Sequence, residues 1–370
     1  MPPNPANPHP HPHPIAPTLS AQLSLTRTSP PPSQPSDIES FQTTFHPARM
    51  GNTANYAYGG CALGAAVQAA YQTVSAAYKP YSISGSFLAP VSTEVKLDCS
   101  VRRLRDTRTF ATRVVEVSQV QPQPLAKPGG KVAGAGAGSG SGAGGGEGKR
   151  RLCMIVLADF HREGEDALLR FSAQPERQYS APERCLTPQE TARRMVVEGK
   201  LSGDSEEEYN VLFGLMARLF ETRLAPEGIG AQNLTGMAKR EATTQDSLHI
   251  TAKTTADWIR CRAPLEGESD QYAGLAFILD AYLSFLAGVH SRLFLDDAAA
   301  CASLDFAMRV FGTGWDLNQW NLREMKTVAG GEGRTYSEAR LWDCEGRLVA
   351  NMTQQSILRP KKGESVKAVL

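Results

Sequence analysis

The sequence predicts an α+β protein built as two successive copies of one unit, a buried helix followed by antiparallel strands. Three observations carry this reading. Two segments, 59–79 and 269–290, are rich in small and apolar residues at helical spacing. Each is followed by a run of short segments with the period-two alternation of half-buried strands. Finally, "RRLCMIVLADF" (150–160) lies over "GRLVANMTQQS" (346–356), each closing its own run, which marks an internal duplication.

Residues 1–37 open with "MPPNPANPHPHPHPIAPTLS", without the long apolar stretch of a secretory signal. Proline at that density predicts a disordered, extended tail, and the alternating His9, His11 and His13 read as part of that tail rather than as a metal site. The first unit is expected over 38–165. Its helix "GGCALGAAVQAAYQTVSAAYK" (59–79) is closed by Pro80, and "YSISGSFLAP" (81–90) follows as a strand. "EVKLDCSVRRL" (94–104) and "TFATRVVEVSQV" (109–120) form a hairpin around "RDTR", and "RRLCMIVLADFH" (150–161) is the last strand. The glycine tract within 127–150 reads as an expanded loop between strands, since surface insertions cost little closure entropy.

Residues 166–254 read as a linker or insertion carrying one amphipathic helix, "SEEEYNVLFGLMARLFETRL" (205–224), with an acidic first turn suited to the helix dipole. The second unit is expected over 255–361. It begins with the short strand "TADWIRCRAP" and continues into the helix 269–290, capped by Ser269 or Asp270. Four strands follow: "ASLDFAMRVF" (302–311), "WNLREMKTV" (320–328), "RTYSEARLWD" (334–343) and 346–360. From Tyr272 to Val289 the helix carries Asp280 as its single charge, which approaches the length of a membrane span. It has no flanking basic anchors and no second such segment, so it reads as a helix buried by a surrounding sheet.

Composition narrows the function classes. With 39 basic and 38 acidic residues the formal charge is +1, which gives no electrostatic case for nucleic acid or an acidic membrane. Seven scattered cysteines, none spaced C-x-x-C, argue against a disulfide framework or zinc site. There is no H-E-x-x-H, no P-loop and no G-x-S-x-G elbow, and no cofactor or metal is expected.

Two residues stand out against their surroundings. In the last strand Leu348, Ala350, Met352, Gln354 and Leu358 share the more apolar face, which puts an amide among core side chains. An unpaired buried amide costs about 1–3 kcal/mol. The duplication sharpens the point, because Gln354 falls on Ala158, an ordinary core residue. Asp280 poses the same question in its helix, with Ala276, Phe277, Leu283 and Ser284 as neighbours. Two polar groups facing one interior read as partners.

The second unit resembles the C-terminal half of the acyl-CoA thioesterase II family, the double-hotdog thioesterases, through "DWIRCRAP", "LAFILDAYLSFL", "ASLDFAMRVF", "WDLNQWNL" and "CEGRLVANMTQQSILRP". The first resembles that family's N-terminal half through "YGGCALGAAVQAA", "YSISGSFLAPVSTEVKLDCSVRRLRDTRTFATRVVEV" and "RLCMIVLADFH". The resemblance implies a tandem double hotdog, two antiparallel sheets each wrapped around a long central helix. It further implies hydrolysis of an acyl-CoA thioester, with catalysis by Asp280, Ser303 of "SLD", and Gln354, the glutamine five residues before Arg359. "TQQS" lacks the acidic residue and glycine usual after that glutamine, and "SLDFA" lacks a histidine often found there.

Chemically the set is coherent: Asp280 would take the proton of a water that Ser303 and Gln354 position, and backbone N–H groups of Gly59 and Gly60 would polarise the thioester carbonyl. The plainer reading of these glycines is a tight turn and close packing. Two alternatives stay open: a non-catalytic acyl-CoA-binding hotdog protein, and an enoyl-CoA hydratase. The hydratase reading wants a histidine five residues after the aspartate, where this chain has Phe285. Sheets of this kind can pair between chains, so a homo-oligomer is compatible with the sequence. The expected compartment is the cytoplasm, with the peroxisome second, since "KAVL" does not resemble the Ser-Lys-Leu address.

Overall fold

In the computed structural model, which describes residues 13–29, 37–52, 54–121, 149–164 and 167–361, a single continuous antiparallel sheet runs through the whole chain. In chain order the elements are α1 (Leu19–Leu23), β1 (Leu25–Thr28), β2 (Ile38–Thr43), α2 (Gly59–Tyr71), β3 (Tyr78–Phe87), β4 (Asp98–Asp106), β5 (Phe110–Val120) and β6 (Arg150–Arg162). Then follow α3 (Pro188–Val197), α4 (Ser205–Leu219), β7 (Phe220–Leu224), α5 (Ile229–Gln232), β8 (Thr255–Cys261), α6 (Glu268–Leu279) and α7 (Leu286–His290). The chain closes with β9 (Ala298–Val310), β10 (Asn321–Gly331), β11 (Arg334–Trp342) and β12 (Leu348–Pro360).

The strand order is β1-β2-β4-β5-β6-β3-β9-β12-β11-β10-β8-β7. Each half uses the same internal order, with β7 in the place of β1 and β12 in that of β6, so the duplication read from two aligned strands extends to six. Instead of two separate sheets, the halves merge through β3 and β9, which pair from Ser82 opposite Arg309 to Ser86 opposite Asp305. Period-two burial is visible in the matched strands: Met154, Val156, Ala158 and Phe160 of β6 are buried, as are Ala350, Met352, Gln354 and Ser356 of β12.

Helices α2 and α6 lie against one another, α2 buried along nearly its whole length and α6 from Tyr272 onward, which explains why those stretches are apolar all round. They run antiparallel. At one end Gln68 donates to Asp270 (2.9 Å) and the Tyr71 hydroxyl to Glu268 (2.8 Å); at the other, Gly60 abuts the Phe277 carbonyl. Among the described residues no helix is long and apolar enough to cross a membrane.

Four sequence expectations are corrected. The tail 1–37 is not structureless throughout, because α1 buries Leu19 and Leu23 and β1 pairs with β2; two leucines suffice to dock a short segment despite its proline-rich surroundings. Of the histidine run only His13 lies among the described residues, and its ring stacks on His46. Within 166–254 the expected helix ends at Leu219, and Phe220–Leu224 becomes β7, the edge strand beside β8. The region therefore supplies part of the second unit's sheet. The helix of the first unit stops at Tyr71, well before Pro80. The helix 269–290 is not continuous: α6 stops at Leu279, Tyr282 adopts a left-handed φ of 75°, and α7 starts at Leu286. The glycine tract falls almost entirely outside the described residues.

Candidate functional site

The break in the second helix creates the site. The carbonyls of a helix's last turn are open to donors from outside the helix, and here two of them accept from side chains of distant elements. The Tyr58 hydroxyl donates to the Phe277 carbonyl (2.5 Å), and Arg323 on β10 donates from Nη1 to the Ile278 carbonyl (2.5 Å). Arg323 is itself locked by a bidentate, fully buried pair with Asp257 on β8, at 3.0 and 2.6 Å, and its guanidinium lies over the Tyr282 ring. Asp280 is the residue left at the helix end.

Its carboxylate has three neighbours. Gln354 Nε2 donates to Oδ1 at 2.6 Å, so the two polar residues singled out in the sequence meet, from elements 74 residues apart. The Gly60 N–H, in the first turn of α2, also donates to the carboxylate. Oδ2 faces Gly59, where a Cβ would stand 2.8 Å from that oxygen and 3.0 Å from Phe87 Cε1. Close approach, not backbone conformation, is what requires glycine at 59 and 60. Asp280 is 5% exposed and Gln354 0%. Burial pushes the Asp280 carboxyl up to about 6, against the opposing pull of the Gln354 amide and the Gly60 N–H.

Gln354 is in turn oriented. Ser356 Oγ donates to its Oε1 (3.2 Å), which turns the amide N–H groups toward Asp280. Ser303 sits one rung along the sheet: it pairs with Ser356, while Phe306 pairs with Gln354 and a bulge accommodates Leu304 between them. The structure thus brings Asp280, Gln354, Gly59 and Gly60 into one cluster and puts the half-buried Ser303 beside it on the same face. The Gly60 N–H, expected to polarise a substrate carbonyl, here favours the ionised form of Asp280.

Three features of the site escaped the sequence reading. Ser356 shares the face of Gln354 by simple alternation and was findable that way. Phe87 packs against Gly59, and its ring meets that of Phe306 edge to face at 5.6 Å across the β3–β9 seam. Their meeting depends on the merged sheet, which no local pattern announces. Among the described residues no group of three His, Cys, Asp or Glu side chains converges as a metal would need.

Comparison with known proteins agrees with this architecture. A model of the acyl-CoA thioesterase C-terminal domain matches residues 202–358, and one of the acyl-CoA thioesterase N-terminal domain matches 46–129. The first of these begins with α4, where the structural repeat begins. No curated protein matches the sequence. An acyl-CoA thioesterase II, TesB2, of Mycobacterium marinum superposes with a TM-score of 0.60 at 18% identity, over 94% of this chain and 100% of its own. The tesB protein of Mycobacterium avium subs paratuberculosis gives 0.58 at 16%, over 92% and 98%. A hotdog-fold protein of unknown function from Alicyclobacillus acidocaldarius gives 0.55 at 13%, over 93% and 98%. At such identities the likeness is one of fold. With both halves matched in order, the chain belongs to the acyl-CoA thioesterase II family of hotdog-fold proteins.

Proposed function

We propose that the protein hydrolyses an acyl-CoA to the free acid and CoA, with a water activated by Asp280. The observation that carries this reading is the buried contact between Asp280 and Gln354 at the first turn of α2. A carboxyl titrating near 6 is roughly ten parts ionised to one at pH 7, yet basic enough to take a proton. Gln354 and Gly60 fix the carboxylate, leaving Oδ2 as the oxygen to hold a water, with Ser303 as a further hydrogen-bonding group.

The water oxygen attacks the thioester carbonyl carbon while Asp280 takes its proton. The tetrahedral oxyanion faces the Gly59 N–H at the positive end of α2. Collapse breaks the C–S bond, and the departing thiolate recovers the proton from Asp280. Phe87 and Phe306 bound the approach and exclude bulk water from the reacting atoms.

The test is release of free thiol from a panel of acyl-CoAs. Wild type is expected to turn over, and Asp280→Asn and Gln354→Ala to lose at least about 100-fold in kcat. Tight acyl-CoA binding with no thiol released by wild type would replace this reading with that of a binding protein.

A further inference from the structure

The duplication provides an internal control for what the fold alone needs beside the catalytic pair. Aligning β6 with β12 puts Ala158 on Gln354 and Phe160 on Ser356. In the first unit Phe160 is flanked across the sheet by Pro80 on β3 and Ala111 on β5. In the second, the same three places hold Ser303, Ser356 and Thr335. An apolar rung has become a rung of hydroxyls. One step inward, Ser337 opposes Gln354 and Thr327 opposes Ser337, where the first unit has Arg113 opposite Ala158 and Arg103 opposite Arg113.

These hydroxyls are buried: Ser356 and Ser337 are 0% exposed, and Thr335 is 8%. Ser356 is satisfied by Gln354, and Ser337 by Thr327 at 3.4 Å. Thr335 Oγ1, by contrast, is out of solvent with no hydrogen-bonding partner. A buried hydroxyl left without a partner costs about 1–3 kcal/mol. A valine would fill the same space without that penalty, and valine suits a strand equally well. Directly opposite residues of antiparallel strands point to one face, so Thr335 shares the space that Gln354 and Ser356 enter. No Lys, Arg, Asp or Glu belongs to this rung, so it does not suit a charged group.

We infer that Thr335, with Ser356 and Ser303 beside it, forms a subsite for an acyl group bearing a neutral oxygen, a hydroxyl or a ketone, close to the thioester. This rests on the thioesterase reading and names its substrate class. A bare saturated chain would leave Thr335 unsatisfied, whereas an oxygenated one would pair with it. Sites built to hydrogen-bond a substrate oxygen discriminate strongly against the analogue lacking it.

The experiment compares hexanoyl-CoA with its 3-hydroxy, 3-oxo and 5-hydroxy counterparts on wild type and on Thr335→Val, an isosteric change outside the catalytic set. Wild type is expected to favour at least one oxygenated thioester by 10-fold or more in kcat/KM. In Thr335→Val that preference should vanish while hexanoyl-CoA is hydrolysed as before. Calorimetric titration of the same thioesters into both proteins reads the preference even if none is hydrolysed, so the catalytic reading can fail separately. Equal handling of all four thioesters by wild type, or a preference retained in Thr335→Val, overturns the subsite.

Discussion

Replacing Asp280 with asparagine removes both the proposed base and a buried charge at the site, and the second effect is measurable without any substrate. Burial raises the Asp280 carboxyl from 3.8 to about 6. A raised acid pKa means that the folded protein binds the proton more tightly than the unfolded chain, so this group's contribution to stability falls as pH rises through that interval. Below about pH 4 it costs nothing; above pH 6 the full shift of about two units applies, about 3 kcal/mol. At pH 5 about half of that cost is already present. Asparagine cannot ionise, so its stability relative to wild type should improve by about 1–2 kcal/mol between pH 5 and pH 8. Losing one acceptor oxygen that faces Gln354 or Gly60 adds a penalty of about 1 kcal/mol, but that term is constant with pH. Urea unfolding of both proteins at pH 5, 6, 7 and 8 gives the difference curve. A difference that stays level across that range would refute the claim that a buried, ionised carboxylate is held at this site.

The other expectations concern the same neighbourhood. Gln354→Ala removes a donor that stabilises the charged form of Asp280, so the acid limb of kcat/KM should move upward from about pH 6; an unmoved limb in residual activity contradicts the assignment. Gly59→Ala places a methyl 2.8 Å from Asp280 Oδ2, and activity should drop by about 100-fold as the carboxylate is displaced, whereas the urea midpoint should fall by no more than about 1–3 kcal/mol allows. Arg323→Met strands the buried Asp257 carboxylate and should cost about 3–5 kcal/mol in urea unfolding, much of it recovered when Asp257→Leu is added; a full, additive loss in the double variant would show that the pair's own attraction dominates.

Much of this site was legible because strand alternation is a strict rule. Once β12 was read as a strand, Gln354 had to face the core, and the aligned Ala158 showed that the fold does not demand an amide there. Asp280 was legible for a similar reason, as the lone charge in an apolar helix. What stayed hidden was set by partners far away in sequence. At the end of α6, Tyr58 and Arg323 donate to the Phe277 and Ile278 carbonyls, and neither residue advertises that role locally. Strand β7 was concealed by the amphipathic pattern of α4 running directly into it, with no glycine or proline from Leu215 to Ala225. The segment around Leu19 was concealed by proline-rich composition, which describes an average and not the two leucines that dock.

The antiparallel packing of α2 and α6 creates two equivalent ends, and comparing them shows which features of the site the architecture requires. Counted from the first residue of each helix, Tyr71 falls at the same step as Asp280. At that other end, Tyr71 packs edge to face against Phe160, with ring centroids 6.2 Å apart, in the place where Asp280 meets the Gln354–Ser356 strand. The first turn of α6 carries its own acids: Glu268 binds Tyr71 and Lys79, and Asp270 binds Gln68. The first turn of α2, in contrast, is two glycines and a cysteine, with no acid of its own, and it receives Asp280 from the partner helix. A helix N-terminus stabilises a negative charge placed against it. One end supplies that charge from its own exposed Glu268 and half-buried Asp270; the other draws it from a buried aspartate that burial keeps basic. The other end shows an aromatic contact at this position, so the fold itself does not require a buried carboxylate–amide pair there, and the pair fits the hydrolase proposed above better than a packing role.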